Sequence, residues 1–263
     1  MQKFDFNGTH LATIPVIANP GGITADEDGL LYISHFPAGG SDSVKSGDCI
    51  SVYDSTGKLL RKFGRSGSGD GELSWPGGVA IGPDGHVYVA DQTNRRVQVF
   101  DKDGRFLAKF GEYGTEPGQF GGTTNPQSRV GGPQFLTFDH DGNLYTTEGM
   151  VCRVQKLTKA GVPLLQWGTN KDAPGHFGGT FTGSYLEGPV GITVDADDHI
   201  WVASLSGRIQ QFDADGKYLG GIQTGQGAEA GKFSAPHGIA INPQGELFVV
   251  DSYNHRIQKF ATK

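Results

Sequence analysis

Five prolines divide this chain into copies of one unit. Pro20, Pro76, Pro133, Pro189 and Pro236 stand 56, 57, 56 and 47 residues apart, and each opens a similar text. The clearest copy runs from Trp75 to Phe110, WPGGVAIGPDGHVYVADQTNRRVQVFDKDGRFLAKF. Four short apolar runs in it, VAI, VYVA, VQVF and FLAKF, alternate with turn signals. Pro83-Asp84-Gly85 follows the first run and Asp101-Lys102-Asp103-Gly104 the third. Glycine takes the positive-φ position that such tight turns require. Runs this short and this rich in Val and Phe are strands. Each copy is therefore a four-stranded antiparallel sheet, its strands named a to d in chain order.

Four strands per unit, repeated every 50 residues or so, are the signature of a β-propeller with one blade per repeat. The expectation is an all-β fold, a single domain over residues 1–263, with five blades by count and six as the alternative. The fifth copy ends soon after strand c. Residues 1–18 look like the end of a repeat without its beginning, because Phe4-Asp5-x-x-Gly8-x-x-Leu11 matches Phe100-Asp101-x-x-Gly104-x-x-Leu107. On this reading His10 to Ile14 is a lone strand d that pairs into the last blade and closes the ring, removing exposed sheet edges. Gln2-Lys3-Phe4 also duplicates Gln258-Lys259-Phe260, so two segments compete for one strand-c position.

Composition narrows the partners. The 43 glycines and 13 prolines fall at the repeated turns, so they punctuate strands rather than mark low complexity. No apolar run approaches the roughly 18 residues of a membrane span, and the opening MQKFDF lacks the basic-then-apolar order of a signal peptide. The net charge is −6 with no Lys/Arg-rich run, so no nucleic-acid partner is expected. Cys49 and Cys152 lie two blades apart in the repeat. That is too far for a disulfide, and two unpaired thiols favour a reducing compartment such as the cytoplasm.

The repeat resembles the NHL family of propellers, whose pattern is P-x-G-[IV]-A-[IV], D-G, [VI]-x-V-A-D and N-x-R-[IV]-Q-x-F. Here it stands as Pro76-Gly77-Gly78-Val79-Ala80, Asp84-Gly85, Val89-Ala90-Asp91 and Asn94-Arg95-Arg96-Val97-Gln98-Val99-Phe100. The resemblance implies the propeller and a range of functions, among them protein binding, RNA binding, sensing and one lyase. The peptide-amidating lyase of the family is similar in its Pro-His blade starts, where its zinc ligands lie. Only Pro236-His237 keeps that motif in this chain, so the full zinc set does not carry over.

Strand order places the function. The a–b and c–d turns share one face; the b–c and d–a connections share the other and hold the long segments 37–48, 64–75, 111–132, 168–188 and 223–235. Long loops on a rigid scaffold are where binding concentrates. Among their aromatics Phe120, Phe177 and Phe233 recur in G-x-F motifs and read as plugs between blades. Phe36, Tyr185 and Tyr253 read as a binding surface. Two sets of equivalent positions ring the channel on this face, Gly21, Gly77, Gln134, Val190 and His237 at the start of strand a, and His35, Asp91, Glu148, Ser204 and Asp251 at the end of strand b. Phe135 stands where most blades have glycine.

His35, Glu148 and His237 break the repeat and are the candidate catalytic set, suited to acid–base work or to a divalent metal ion. Asp91, Gln134, Phe135, Ser204 and Asp251 complete the candidate ligand-binding set, although Asp91 and Asp251 also match an Asp–Arg ion pair with Arg96 and Arg256. The expected function is binding of a small molecule or a protein or peptide at the loop-rich mouth, with a lyase or hydrolase at the same mouth as the alternative.

Overall fold

The computed structural model describes residues 1–37, 47–122, 131–178, 188–222 and 225–262. These residues are all-β, with one three-residue 3-10 turn among them, Ser252–Asn254. Blade 1 is Pro20–Ala25, Leu31–His35, Cys49–Tyr53 and Leu59–Phe63. Blade 2 is Pro76–Ile81, Val87–Asp91, Arg96–Phe100 and Phe106–Phe110. Blade 3 is Leu136–Phe138, Asn143–Glu148, Arg153–Thr158 and Pro163–Trp167; blade 4 is Pro189–Val194, Ile200–Ser204, Arg208–Phe212 and Tyr218–Ile222. Blade 5 has three strands, Pro236–Ile241, Glu246–Asp251 and Arg256–Ala261. All pairs within blades are antiparallel neighbours in chain order, as the short turns dictate. Strand a of each blade lies beside strand a of the next, from blade 1 through blade 5. Among the described residues no helix is long and apolar enough to cross a membrane.

The hydrophobic effect acts between blades, because each sheet is apolar on both faces. Tyr32, Val52 and Phe63 of blade 1 meet Val79, Val89 and Phe100 of blade 2 in one buried cluster. Ala90 and Val97 continue on the other face of blade 2 against Leu136 and Leu144. The clusters between blades 3 and 4 and between blades 4 and 5 are built alike. Phe120, Phe177 and Phe233 are fully buried in these seams, as the recurrent G-x-F motif indicates.

The closure differs from the sequence reading. His10–Thr13 pairs with Gln2–Phe4 in a two-stranded sheet of its own and not with blade 5. The reason lies in the duplication itself: both Gln2–Phe4 and Arg256–Ala261 are c strands, and each stays in its own sheet. The Asp5-to-Gly8 turn brings strand d back on its nearest neighbour, sealed by Ile14 N–H donating to Met1 O at 2.8 Å. The hairpin sits in the register of a further blade. Gly57, in the c–d turn of blade 1, abuts Ile14 as Gly104 abuts Phe63 and Gly161 abuts Phe110. On its other side Phe6 lies 6.1 Å from Phe248, and Lys259 Nζ donates to Phe6 O at 3.2 Å. The face of blade 5 turned this way stays open: Val250 is 42% and Ile257 57% exposed, where their counterparts Ala90 and Val97 are fully buried.

Candidate functional site

The ends of the b strands carry a repeated polar clasp. In blade 2 the buried Asp91 carboxylate accepts from Arg96 Nε (2.7 Å), Gln98 Nε2 (3.0 Å), Asn94 Nδ2 (2.9 Å) and the Ser74 N–H (2.7 Å). The far end of Arg96 donates to the carbonyls of Gly69 and Glu72. One side chain thus ties strand b, strand c and the preceding d–a loop together. In blade 5 Asp251 accepts from Arg256 Nε (2.8 Å), Gln258, Asn254 and the Ser234 N–H. Glu148 does the same in blade 3, with Arg153 Nε and Gln155 Nε2 each at 2.7 Å and the Gly121 N–H at 2.8 Å.

The two aspartates titrate differently for a physical reason. For Asp91 desolvation outweighs the donors and pushes the carboxyl above its ordinary value. For Asp251 desolvation is again the largest single effect, but on the open blade 5 it is outweighed by the Ser234 N–H, Asn254, Arg256 and Gln258 together. Its pKa lies below the ordinary range.

The three residues singled out as a catalytic set have different surroundings. Glu148 is fully buried in its clasp. His35 is also fully buried. Its Nδ1 faces the carbonyl of Ala18 at 3.2 Å, and its Nε2 lies 2.6 Å from Ser51 Oγ. A carbonyl only accepts, so Nδ1 carries the proton and the Ser51 hydroxyl donates to Nε2. Burial lowers the pKa of this imidazole. Cys49 and Ser51 stand in the places of Arg96 and Gln98, so blade 1 has a neutral version of the clasp. His237 is exposed, at the start of strand a of blade 5, with protein crowded closely enough around the ring to lower its pKa by desolvation. Among the described residues no hydrogen bond or ion pair joins these three to one another.

Of the ligand-binding candidates, Gln134 Oε1 accepts from the Gly149 N–H at 3.0 Å, and Ser204 is fully buried. Phe135 packs at the edge of the cluster between blades 3 and 4. Tyr185 lies outside the described residues. Tyr253 is 67% exposed on the b–c connection of blade 5.

Phe36 brings in a partner that the motif reading passed over. Its ring lies 5.2 Å from that of Trp75, tilted by 34°, and both are half-buried. Gly21 makes room: a Cβ there would collide with Ser34 Oγ and the Phe36 ring. Trp75 has φ +53, a left-handed conformation uncommon for so bulky a residue. Asn19 and Ala235 share it, also directly before the strand-a proline. Of these three positions only that of blade 2 carries an aromatic ring; the signal was present in the sequence as W-P against N-P and A-P.

On the opposite face the acids of the a–b turns are engaged as well. Asp26, Asp84 and Asp139 of the a–b turns accept from the hydroxyls of Tyr32, Tyr88 and Tyr145, and Asp195 accepts from Trp201 Nε1. Ligand atoms of Asp195, Asp197 and His199 lie within 4.8 Å of one another there, but Asp195 already accepts from the N–H groups of Asp197 and His199 to form its turn. Among the described residues Cys49 and Cys152 form no disulfide.

The NHL repeat family model matches residues 73–100 and 233–260, in blades 2 and 5. Over 140 residues, 49% of this chain, the sequence is 34% identical to peptidyl-glycine alpha-amidating monooxygenase of Mus musculus, and it spans 14% of that protein's length. Protein lin-41 of Caenorhabditis elegans is 34% identical over 94 residues, 29% of this chain and 8% of that one. A solved streptogramin B lyase superposes with a TM-score of 0.63 at 17% identity, covering 98% of this chain and 70% of the other. A protein of unknown function from Bacteroides thetaiotaomicron reaches 0.67 at 19% identity, covering 99% and 63%. At these identities the solved structures show a shared fold. The chain is a β-propeller in which blades 2 and 5 match the NHL repeat model, and the same strand order runs through the other blades.

Proposed function

We propose that this propeller is a binding module whose loop-rich face holds a protein or peptide. The observation that carries the reading is the division of labour among its side chains. Asp91, Glu148 and Asp251, acidic groups at the channel mouth, are engaged in clasps, whereas the Phe36–Trp75 pair, Tyr113 (49% exposed) and Tyr253 stand on the loops of the same face. Aromatic rings combine large apolar area with few rotatable bonds, which suits them to recognition surfaces.

Peptides selected from a displayed random library on the immobilised protein provide the test. Their binding should fall at least about tenfold with Trp75→Ala or Tyr253→Ala, equal to about 1.4 kcal/mol, and stay unchanged with His140→Ala on the opposite face. Peptides that bind all three variants as tightly as the parent would sink the reading.

A second reading, a lyase or hydrolase, is favoured by His237 alone, an exposed imidazole whose pKa is lowered by desolvation. In that case His237→Ala would abolish turnover while leaving the Trp75-dependent binding intact.

A further inference from the structure

In blades 2, 3 and 5 the carboxylate ending strand b accepts from one arginine Nε and one glutamine Nε2 of strand c. Blade 4 keeps the donors and not the acceptor. Its strand b ends at Ser204, which pairs in register with Arg208 as Asp91 does with Arg96, and Gln210 takes the place of Gln98. Ser204 and Gln210 are fully buried and Arg208 is 9% exposed.

The outer half of the clasp again bonds the preceding loop, although Arg208 Nη2 takes the Gly178 carbonyl where Arg96 Nη2 takes those of Gly69 and Glu72. Arg208 Nη1 meets Asp172 at 3.0 Å and the Ala173 carbonyl at 3.5 Å, Nη2 donates to the Gly178 carbonyl, and Gln210 Nε2 donates to the His176 carbonyl at 2.8 Å. The inner half is different. Arg208 Nε and Ser204 Oγ are buried with no hydrogen-bond partner. The second amide hydrogen of Gln210, which in the three counterparts reaches the carboxylate, has no carboxylate to reach.

We propose that blade 4 binds a small monovalent anion at this point, chloride or the carboxylate group of a small acid, between Arg208 Nε, Ser204 Oγ and Gln210 Nε2. Serine places its oxygen about where aspartate has its carboxyl carbon, so the volume of the two carboxylate oxygens belongs to the bound ion. A buried donor left unmade is costly, and more so on a charged group. A water molecule accepts two hydrogen bonds and must then place two hydrogens of its own, whereas three converging donors suit a species that only accepts. Charge agrees: the Asp172 partner of Arg208 is 54% exposed, so its charge is largely screened by solvent and the inner edge of the guanidinium is left to attract an anion. The site is made of buried side chains of blade 4 and does not rest on the reading of the exposed aromatic rings.

The experiment is a melting titration of the intact chain with sodium chloride or sodium acetate, at constant ionic strength made up with a bulky organic sulfonate. The melting temperature should climb with the logarithm of anion concentration, as it does for a ligand bound only by the folded state. The anion that gives the larger shift identifies the occupant as halide or carboxylate. Ser204→Asp supplies the acceptor from the chain; it should raise the melting temperature at low salt and remove the response. A crystal of the unaltered protein soaked in bromide should show an anomalous peak in contact with Arg208 Nε and Ser204 Oγ, a reading that needs no variant to fold. Equal responses in the parent and in Ser204→Asp, or bromide bound elsewhere and not here, would overturn the proposal.

Discussion

A single clasp residue has very different weight in different blades. The Arg96 side chain is 8% exposed and that of Arg256 is 31% exposed, although both meet an aspartate at the end of strand b. Removing Asp91 strands a buried guanidinium, for which the cost is about 3–5 kcal/mol. Asp251→Ala should cost clearly less, because water can reach Arg256. Urea unfolding of both variants checks this; equal losses would mean that burial does not set the difference. The pH dependence has opposite signs at the two sites. Asp251, with its folded pKa below the unfolded one, adds stability that is complete above the unfolded value and lost as pH falls through the folded value. Asp91, raised by burial, contributes less as pH climbs from the unfolded towards the folded value. Asp251→Asn should therefore flatten the loss of stability on acidification, and Asp91→Asn should not. The motif N-x-R-[IV]-Q made the Asp91 and Asp251 pairs legible in sequence. It did not reveal that Glu148 joins the same clasp, since a longer acid breaks the motif while reaching the same arginine.

Between elements, the recurrent contact is the c–d turn of one blade resting on the last residue of strand d in the blade before. Gly8 and Gly104 both have φ +87 in equivalent turns, yet their surroundings differ. A Cβ on Gly104 would run into the Phe63 ring, whereas one on Gly8 meets nothing within 4 Å. The pair separates backbone strain from packing. Gly8→Ala should cost only the left-handed penalty, about 1–2 kcal/mol. Gly104→Ala should add an overpacking cost of roughly 1–3 kcal/mol. Matched thermal melts measure the difference, and identical losses would show that the turn does not bear on Phe63. The strands and turns themselves were readable because alternation and glycine placement are local signals. The partner of His10–Thr13 was not, because pairing depends on which of two near-identical c strands lies next to it, and Gln2-Lys3-Phe4 and Gln258-Lys259-Phe260 carry the same letters.

Across the whole molecule, stability is shared among seams, and the seams are unequal. Four inter-blade clusters bury their side chains nearly completely, while the sector between blade 5 and blade 1 is filled by the N-terminal hairpin alone among the described residues. Counterpart positions show the difference: Val79 is 4% exposed and Ile23 is 52%, Val97 is fully buried and Ile257 is 57% exposed. Equivalent substitutions in the repeat are therefore not energetically equivalent. Val97→Thr places a hydroxyl in a sealed seam without a partner, at a cost of about 1–3 kcal/mol. Ile257→Thr changes a residue that water already reaches, and its effect should stay within about 0.5 kcal/mol. The seam between blades 2 and 3 would then limit unfolding of the interior blades, while blade 5 and the hairpin open first. Native-state hydrogen exchange reads that order directly: amides of Arg96–Phe100 should be protected to the global limit, and those of Arg256–Ala261 should exchange through a smaller opening. Equal protection of the two c strands would show that the hairpin seals its sector as tightly as a full blade seals the others.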